Sequence, residues 1–134
     1  MDILEKSLIH LINKKEISII SLSLTLTSLS EEKRLKEICE TLHKHNKIII
    51  CTLANGATKS YPASYKSTIG VQGVILEDEK SFWFNNSKEI QAIVDTNPYL
   101  LKDNHQSYRL FGKSNSYSAA KFTGMLSKII DENN

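Results

Sequence analysis

Cysteine is scarce in this chain: Cys39 and Cys51 are the only two among 134 residues. That excludes a disulfide framework and leaves two reduced, buried thiols as the expectation. Proline is equally rare at two residues, and glycine contributes five. No Pro/Gly-rich linker divides the chain, so a single domain over residues 1–134 is expected. Long apolar runs are missing too; the longest are strand-sized, too short to span a membrane as a helix. Nor does one sign of charge prevail, since 17 basic and 15 acidic residues leave a net charge of +2. With no Lys/Arg run and no basic stripe interleaved with aromatics, nucleic acid is not an expected partner. The opening Met1-Asp2-Ile3-Leu4-Glu5 has no basic region leading into a long apolar core. No signal peptide is visible there, and a cytoplasmic location is the expectation. No G-x-G-x-x-G or phosphate loop follows an apolar run, so dinucleotide binding is removed and no cofactor is expected.

What is present is an ordinary globular composition, 40% hydrophobic and 24% charged. Ile3, Leu4, Leu8, Leu11 and Ile12 fall at helical spacing, with Lys14 and Lys15 suited to the negative end of the dipole. A strand is predicted from Ile17 to Leu26, with Ile20, Leu22, Leu24 and Leu26 on one face. Ser28 followed by Glu31 and Glu32 reads as a helix start, Leu35, Ile38, Cys39 and Leu42 as its buried stripe, and Asn46 as its end. Strands are then predicted over Lys47–Leu53 and Thr68–Ile75. Glu77–Lys80 forms a turn, Ser81–Phe84 a short antiparallel strand, and Glu89–Val94 a further strand. Trp83 in that short strand is read as core or edge packing. Asn97 to Gly112 is loop-like with room for one hairpin. A helix from about Ser116 to Asp131 closes the chain, with Ala119, Phe122, Met125 and Leu126 among its inward residues. Helix and strand alternating, with continuous apolar strands, predicts an α/β fold with a mainly parallel sheet.

Ile48 to Val74, IIICTLANGATKSYPASYKSTIGVQGV, holds the most specific pattern. A buried-type strand ends in Ala54-Asn55-Gly56, a loop carries Tyr61-Pro62-Ala63-Ser64-Tyr65, and Ile69-Gly70-Val71 opens the next strand. Together with Ile19–Leu24 and with Ser114-Asn115-Ser116-Tyr117-Ser118-Ala119-Ala120-Lys121-Phe122-Thr123-Gly124, this stretch resembles the C-terminal half of the subtilisin-like serine proteases. The resemblance implies a three-layer α/β fold that is incomplete, with the N-terminal strands absent. It places Asn55 at the oxyanion-hole position, where a side-chain amide donates to developing negative charge. Anchored on Gly124, it places Ser116 at the nucleophile position, opening a helix. Ser23, Leu24 and Thr25 then correspond to the segment against which an extended peptide lies.

Departures from the family pattern point away from catalysis. Its Asp-Gly and His-Gly-Thr motifs do not occur in this chain; the resemblance places both before residue 1. Thr25-Leu26 replaces the Gly-Gly pair, Ser114-Asn115 the Gly-Thr, and Ala120 the proline of the serine motif. A serine without a base is a weak nucleophile at neutral pH. His43 and His45 lie near the end of the second helix, which the resemblance places outside the sheet, and His10 belongs to the first helix; His105 in the late loop is left as the one alternative base. His43 and His45, two residues apart, do not share a helical face and have no obvious third ligand, so no metal is expected.

The resemblance implies a degenerate, non-catalytic domain that binds a peptide or protein, or regulates a true protease. The alternative is the C-terminal half of an endopeptidase whose aspartate and histidine come from another chain. The strand Ile17–Leu26 would then stand at a sheet edge with its Ile20-Leu22-Leu24 face exposed. A homo-oligomer, or a complementing N-terminal half, would pair with it. A piece of a longer protein is the other possibility that the sequence leaves open.

Overall fold

Ile49, Ile50, Cys51 and Thr52 are successive residues, and all four are buried. A strand withdrawn from solvent on both faces needs a neighbour at each edge and cover above and below. In the computed structural model this strand is the second of a five-stranded sheet. The structure describes residues 2–75, 82–96, 99–102, 108–111 and 114–133, the backbone alone for 99–102 and 108–111. In chain order the elements are α1 (Asp2–Leu11), β1 (Ile19–Leu22), α2 (Glu32–Lys44), β2 (Ile48–Thr52) and β3 (Ile69–Val74). They continue with β4 (Phe82–Phe84), β5 (Ala92–Asp95), β6 (Tyr99–Lys102), β7 (Tyr108–Phe111) and α3 (Asn115–Glu132). The sheet order is β1-β2-β3-β5-β4, and β6 and β7 form a separate antiparallel pair. The first three pairings are parallel; β4 alone runs antiparallel, against β5.

The two faces of β2 feed two separate cores. Ile49 and Cys51 join Leu8 of α1 and Leu35, Ile38, Cys39 and Leu42 of α2. Ile50 points the other way, to Val71, Ala92, Val94 and the α3 residues Ala119 and Phe122. The period of two in the strand and the i, i+3, i+4, i+7 spacing in α2 are the patterns that such burial requires. Helix α2 ends where Asn46 adopts a positive φ of 59°, a conformation that asparagine tolerates better than most residues. Before it, a short 3-10 turn (Leu29–Glu31) is capped by Ser28.

Several expectations need correction. Strand β1 covers only Ile19–Leu22 of the predicted Ile17–Leu26. Ile20 and Leu22 are not exposed: α1 and α2 cover that face, leaving them 7% and 8% accessible. What β1 presents at the edge of this sheet is backbone, not an apolar face. The strand predicted at Glu89–Val94 starts at Ala92 and runs to Asp95. Of the two readings of Trp83, core or edge packing, its 69% exposure on the edge strand β4 leaves the edge. The turn at Glu77–Lys80, Ser81 and His105 lie outside the described residues. Among the described residues, no helix is long and apolar enough to cross a membrane.

Candidate functional site

Strands β1, β2 and β3 are parallel, so their carboxyl ends meet at one end of the sheet. There the chain leaves β2 through Ala54 into a tight turn in which the Ala57 N–H donates to Ala54 O at 3.0 Å. Gly56, at φ 75°, supplies the positive φ that this turn requires. Asn55 is thereby held out from the strand end. Behind the turn, the Ala54 N–H donates to Ser60 Oγ at 2.9 Å, and Ser60 and Ser64 bond each other. Tyr61 and Tyr65 stack with centroids 5.0 Å apart, and the Tyr65 hydroxyl donates to Glu32 O at 2.9 Å. The Tyr61–Pro62 peptide is cis.

Helix α3 starts over the same strand ends. Its cap is Ser114, whose hydroxyl accepts from the Tyr117 N–H at 3.2 Å. The helix therefore opens one residue earlier than predicted, and Ser116 is its second residue, exposed to solvent. Asn115 is the joint of the region. Its Nδ2 donates to Leu53 O at 3.0 Å, its Oδ1 accepts from the Gly73 N–H at 2.8 Å, and its N–H donates to Asn55 Oδ1 at 3.0 Å. One side chain thus ties β2, β3 and the helix start together. The Asn55 amide is fixed through its oxygen, which leaves the opposite, Nδ2 end as its donor.

Close approach at this junction depends on Gly73. A Cβ there would lie 2.2 Å from Thr96 Cγ2 and 2.4 Å from Ser118 Oγ. Asp95, fully buried at the end of β5, accepts from Lys121 of α3 at 3.3 Å through its backbone oxygen; its carboxylate lies 3.8 Å from the same ammonium.

Ser23, Leu24, Thr25, Asn55 and Ser116, the five residues singled out from the sequence, line one open hollow of about 240 Å³ with Thr52, Leu53 and Ala54. Ser23 Oγ and Thr52 Oγ1 are 3.4 Å apart across its floor. Past Ser23 the chain leaves the ladder; backbone bonding resumes at Leu26, whose N–H donates to Tyr61 O at 2.9 Å. None of the eight lining side chains titrates. The hollow can offer neutral hydrogen bonds to an extended chain, but among its lining residues it holds no group to take a proton from Ser116.

His10, His43 and His45 are exposed. Among the described residues, no three of His, Cys, Asp and Glu gather closely enough to hold a metal ion. Both cysteines are free and buried, and burial pushes the Cys39 thiol up to about 12 and the Cys51 thiol upward as well.

The sequence names Asn115 only as a replacement in the serine motif and assigns Gly73 and Asp95 no role. Gly73 did carry a signal, since an isolated glycine inside a strand marks a close backbone approach. Asn115 and Asp95 carried none, because their partners are distant in sequence. No protein-family model matches the chain, and no curated protein matches it in sequence.

Proposed function

We propose that this chain is a degenerate, non-catalytic subtilisin-like domain that binds an extended peptide or a protein segment, or regulates a protease by doing so. The observation that carries the reading is the single hollow in which Ser23–Thr25, Asn55 and Ser116 meet. On this reading the domain has the three-layer subtilisin-like arrangement. Its two apolar clusters on opposite faces of the sheet support that. The partner's backbone would lie along Ser23–Thr25 by strand addition, where the ladder has lapsed. At about 240 Å³ the hollow is smaller than pockets that enclose a whole ligand, about 300–1,000 Å³. It suits one side chain of a peptide that passes over it.

A second reading keeps the chemistry: the C-terminal half of a serine endopeptidase, completed by the aspartate and histidine of another chain. It is favoured by the exposed Ser116 at the start of α3, beside the amide of Asn55. Strand β1, at the edge of the five-stranded sheet, would be the surface for such a partner or for a second copy.

A displayed library of random peptides, panned against the full chain, tests the first reading. Captured peptides should lose binding about tenfold or more in Thr25→Pro, which removes a backbone donor, and in Ser116→Phe, which fills the hollow. Failure to capture any peptide overturns it. Labelling of Ser116 by a fluorophosphonate would instead favour the peptidase.

A further inference from the structure

We propose a second binding site at the opposite, amino-terminal end of the sheet, for a small organic anion with an apolar body. Two cavities of about 440 and 580 Å³ adjoin there and share Asn46 and Lys47. The first is lined by Lys66 and His43 besides Lys47, the second by Lys15, Lys44 and His45. No aspartate or glutamate lines either cavity. Because the whole chain is nearly balanced, with 17 basic and 15 acidic residues, this is local segregation of charge.

Two polar groups among the residues lining the first cavity are buried and incompletely paired. Lys47 is 5% exposed, and its ammonium donates to the backbone oxygens of Lys14 and Ile17, the latter at 2.6 Å. That leaves one of its three donors, and no carboxylate among the described residues balances the charge. Ser67 Oγ is buried with no hydrogen-bond partner among the described residues. A buried hydroxyl without a bond costs free energy that an acceptor would recover. An anion in the first cavity would meet the exposed Lys66 ammonium, with Lys47 lining the same cavity and no carboxylate there to oppose it.

The carboxyl end of α2 lies beside this cavity and would repel an anion if its carbonyls were bare. They are not. Thr41 O and Leu42 O accept from the His45 N–H, Leu42 O also from the Lys47 N–H, and His43 O from the Asn46 N–H. What remains toward the cavity is cationic. Its other wall is apolar: Ile48, Ile69 and Phe84, the last 49% exposed. A wall of this kind beside a cationic one selects a ligand with an anionic head and a flat or aliphatic body. The first cavity also falls within the size range of sites for such molecules, about 300–1,000 Å³.

The test is an NMR titration of the full chain with phenyl phosphate, benzoate and benzyl alcohol at fixed ionic strength. Saturable shifts with phenyl phosphate or benzoate at residues 46–49, 66–69 and 84–86, but not at Asn55 or Ser116, are expected. The tighter of the two anions identifies the head group as phosphate or carboxylate. Exposed Lys66→Glu should weaken the anion about tenfold or more, and Phe84→Ser should weaken both anions without loss of fold. Benzyl alcohol binding as tightly as the anions, unchanged affinity in Lys66→Glu, or the absence of localised saturable shifts would overturn the proposal.

Discussion

At the carboxyl ends of the strands polar groups satisfy one another: Asn115 bonds Leu53, Gly73 and Asn55 through its side chain and its N–H. At the amino ends Lys47 meets only backbone oxygens, with Lys66 and Lys15 in the cavities beside it. The first end is neutral, closely fitted and small in volume. The second is cationic, larger in volume and incompletely paired. Helices α2 and α3 cover opposite faces of the sheet; the start of α3 stands at the first end and the carboxyl end of α2 at the second. The difference teaches that an end whose hydrogen bonds close on themselves is built for geometry. An end that leaves donors over is built to receive something.

The largest expected effect breaks the first end. Gly73→Ala would place a methyl group 2.2 Å from Thr96 Cγ2 and 2.4 Å from Ser118 Oγ. Thr96, just past β5, and Ser118 of α3 are both buried, so the methyl group must displace side chains on two elements, and we expect a loss of about 3 kcal/mol in urea unfolding. A wild-type unfolding midpoint would show that α3 does not press on β3 there.

Removing the joint itself should cost somewhat less. Asn115→Ala leaves the Gly73 N–H and Leu53 O buried without partners, a loss of about 2 kcal/mol. Its counterpart at the other end is Lys47→Met, which keeps the aliphatic stem and drops two charged hydrogen bonds while relieving an unbalanced charge; about 1.5 kcal/mol is expected. The two variants measured side by side sharpen the contrast. If Lys47→Met cost more than Asn115→Ala, the amino end would be the better satisfied of the two, and the comparison would fail.

Much of this architecture is legible in the residues. The parallel core strands Ile48–Thr52 and Ile69–Val74 follow from apolar runs bounded by Asn46 and by Asn55-Gly56. Helix α2 follows from its stripe of Leu35, Ile38, Cys39 and Leu42. Periodicity also assigned Ile20 and Leu22 to one face, but it carries no information on what covers that face. Hence the expectation of exposure went wrong once α1 and α2 closed over it. Ser23–Thr25, Asn55 and Ser116 were grouped through a resemblance, and the hollow holds all five. The contacts of Asn115, Asp95 and Lys47 were not legible, because each depends on a partner 26 to 62 residues away in sequence. Such partners are fixed by the register of strands and helices, which no local pattern encodes.

The last effect appears only at high pH and concerns the strip between the two ends, where Cys39 of α2 and Cys51 of β2 share one core. Burial pushes the Cys39 thiol up to about 12, and burial, then Cys39 itself, push Cys51 upward too. In the unfolded chain a thiol ionises near about 8.5. Below that value both states hold the proton, and the stabilisation is fully present. As the pH rises past it, the unfolded state binds fewer protons than the folded one, so stability falls until the folded thiol also ionises near 12. Each thiol contributes a slope of about 1.4 kcal/mol per pH unit within that window. Urea unfolding at about pH 8.5 and about pH 10 reads the slope, and Cys39→Ala should remove one thiol's share of it. Rapid alkylation of Cys39 in the folded protein, or stability that does not change over this range, would mean that the strip is open to water. The two ends of the sheet would then not be separated by a dry core.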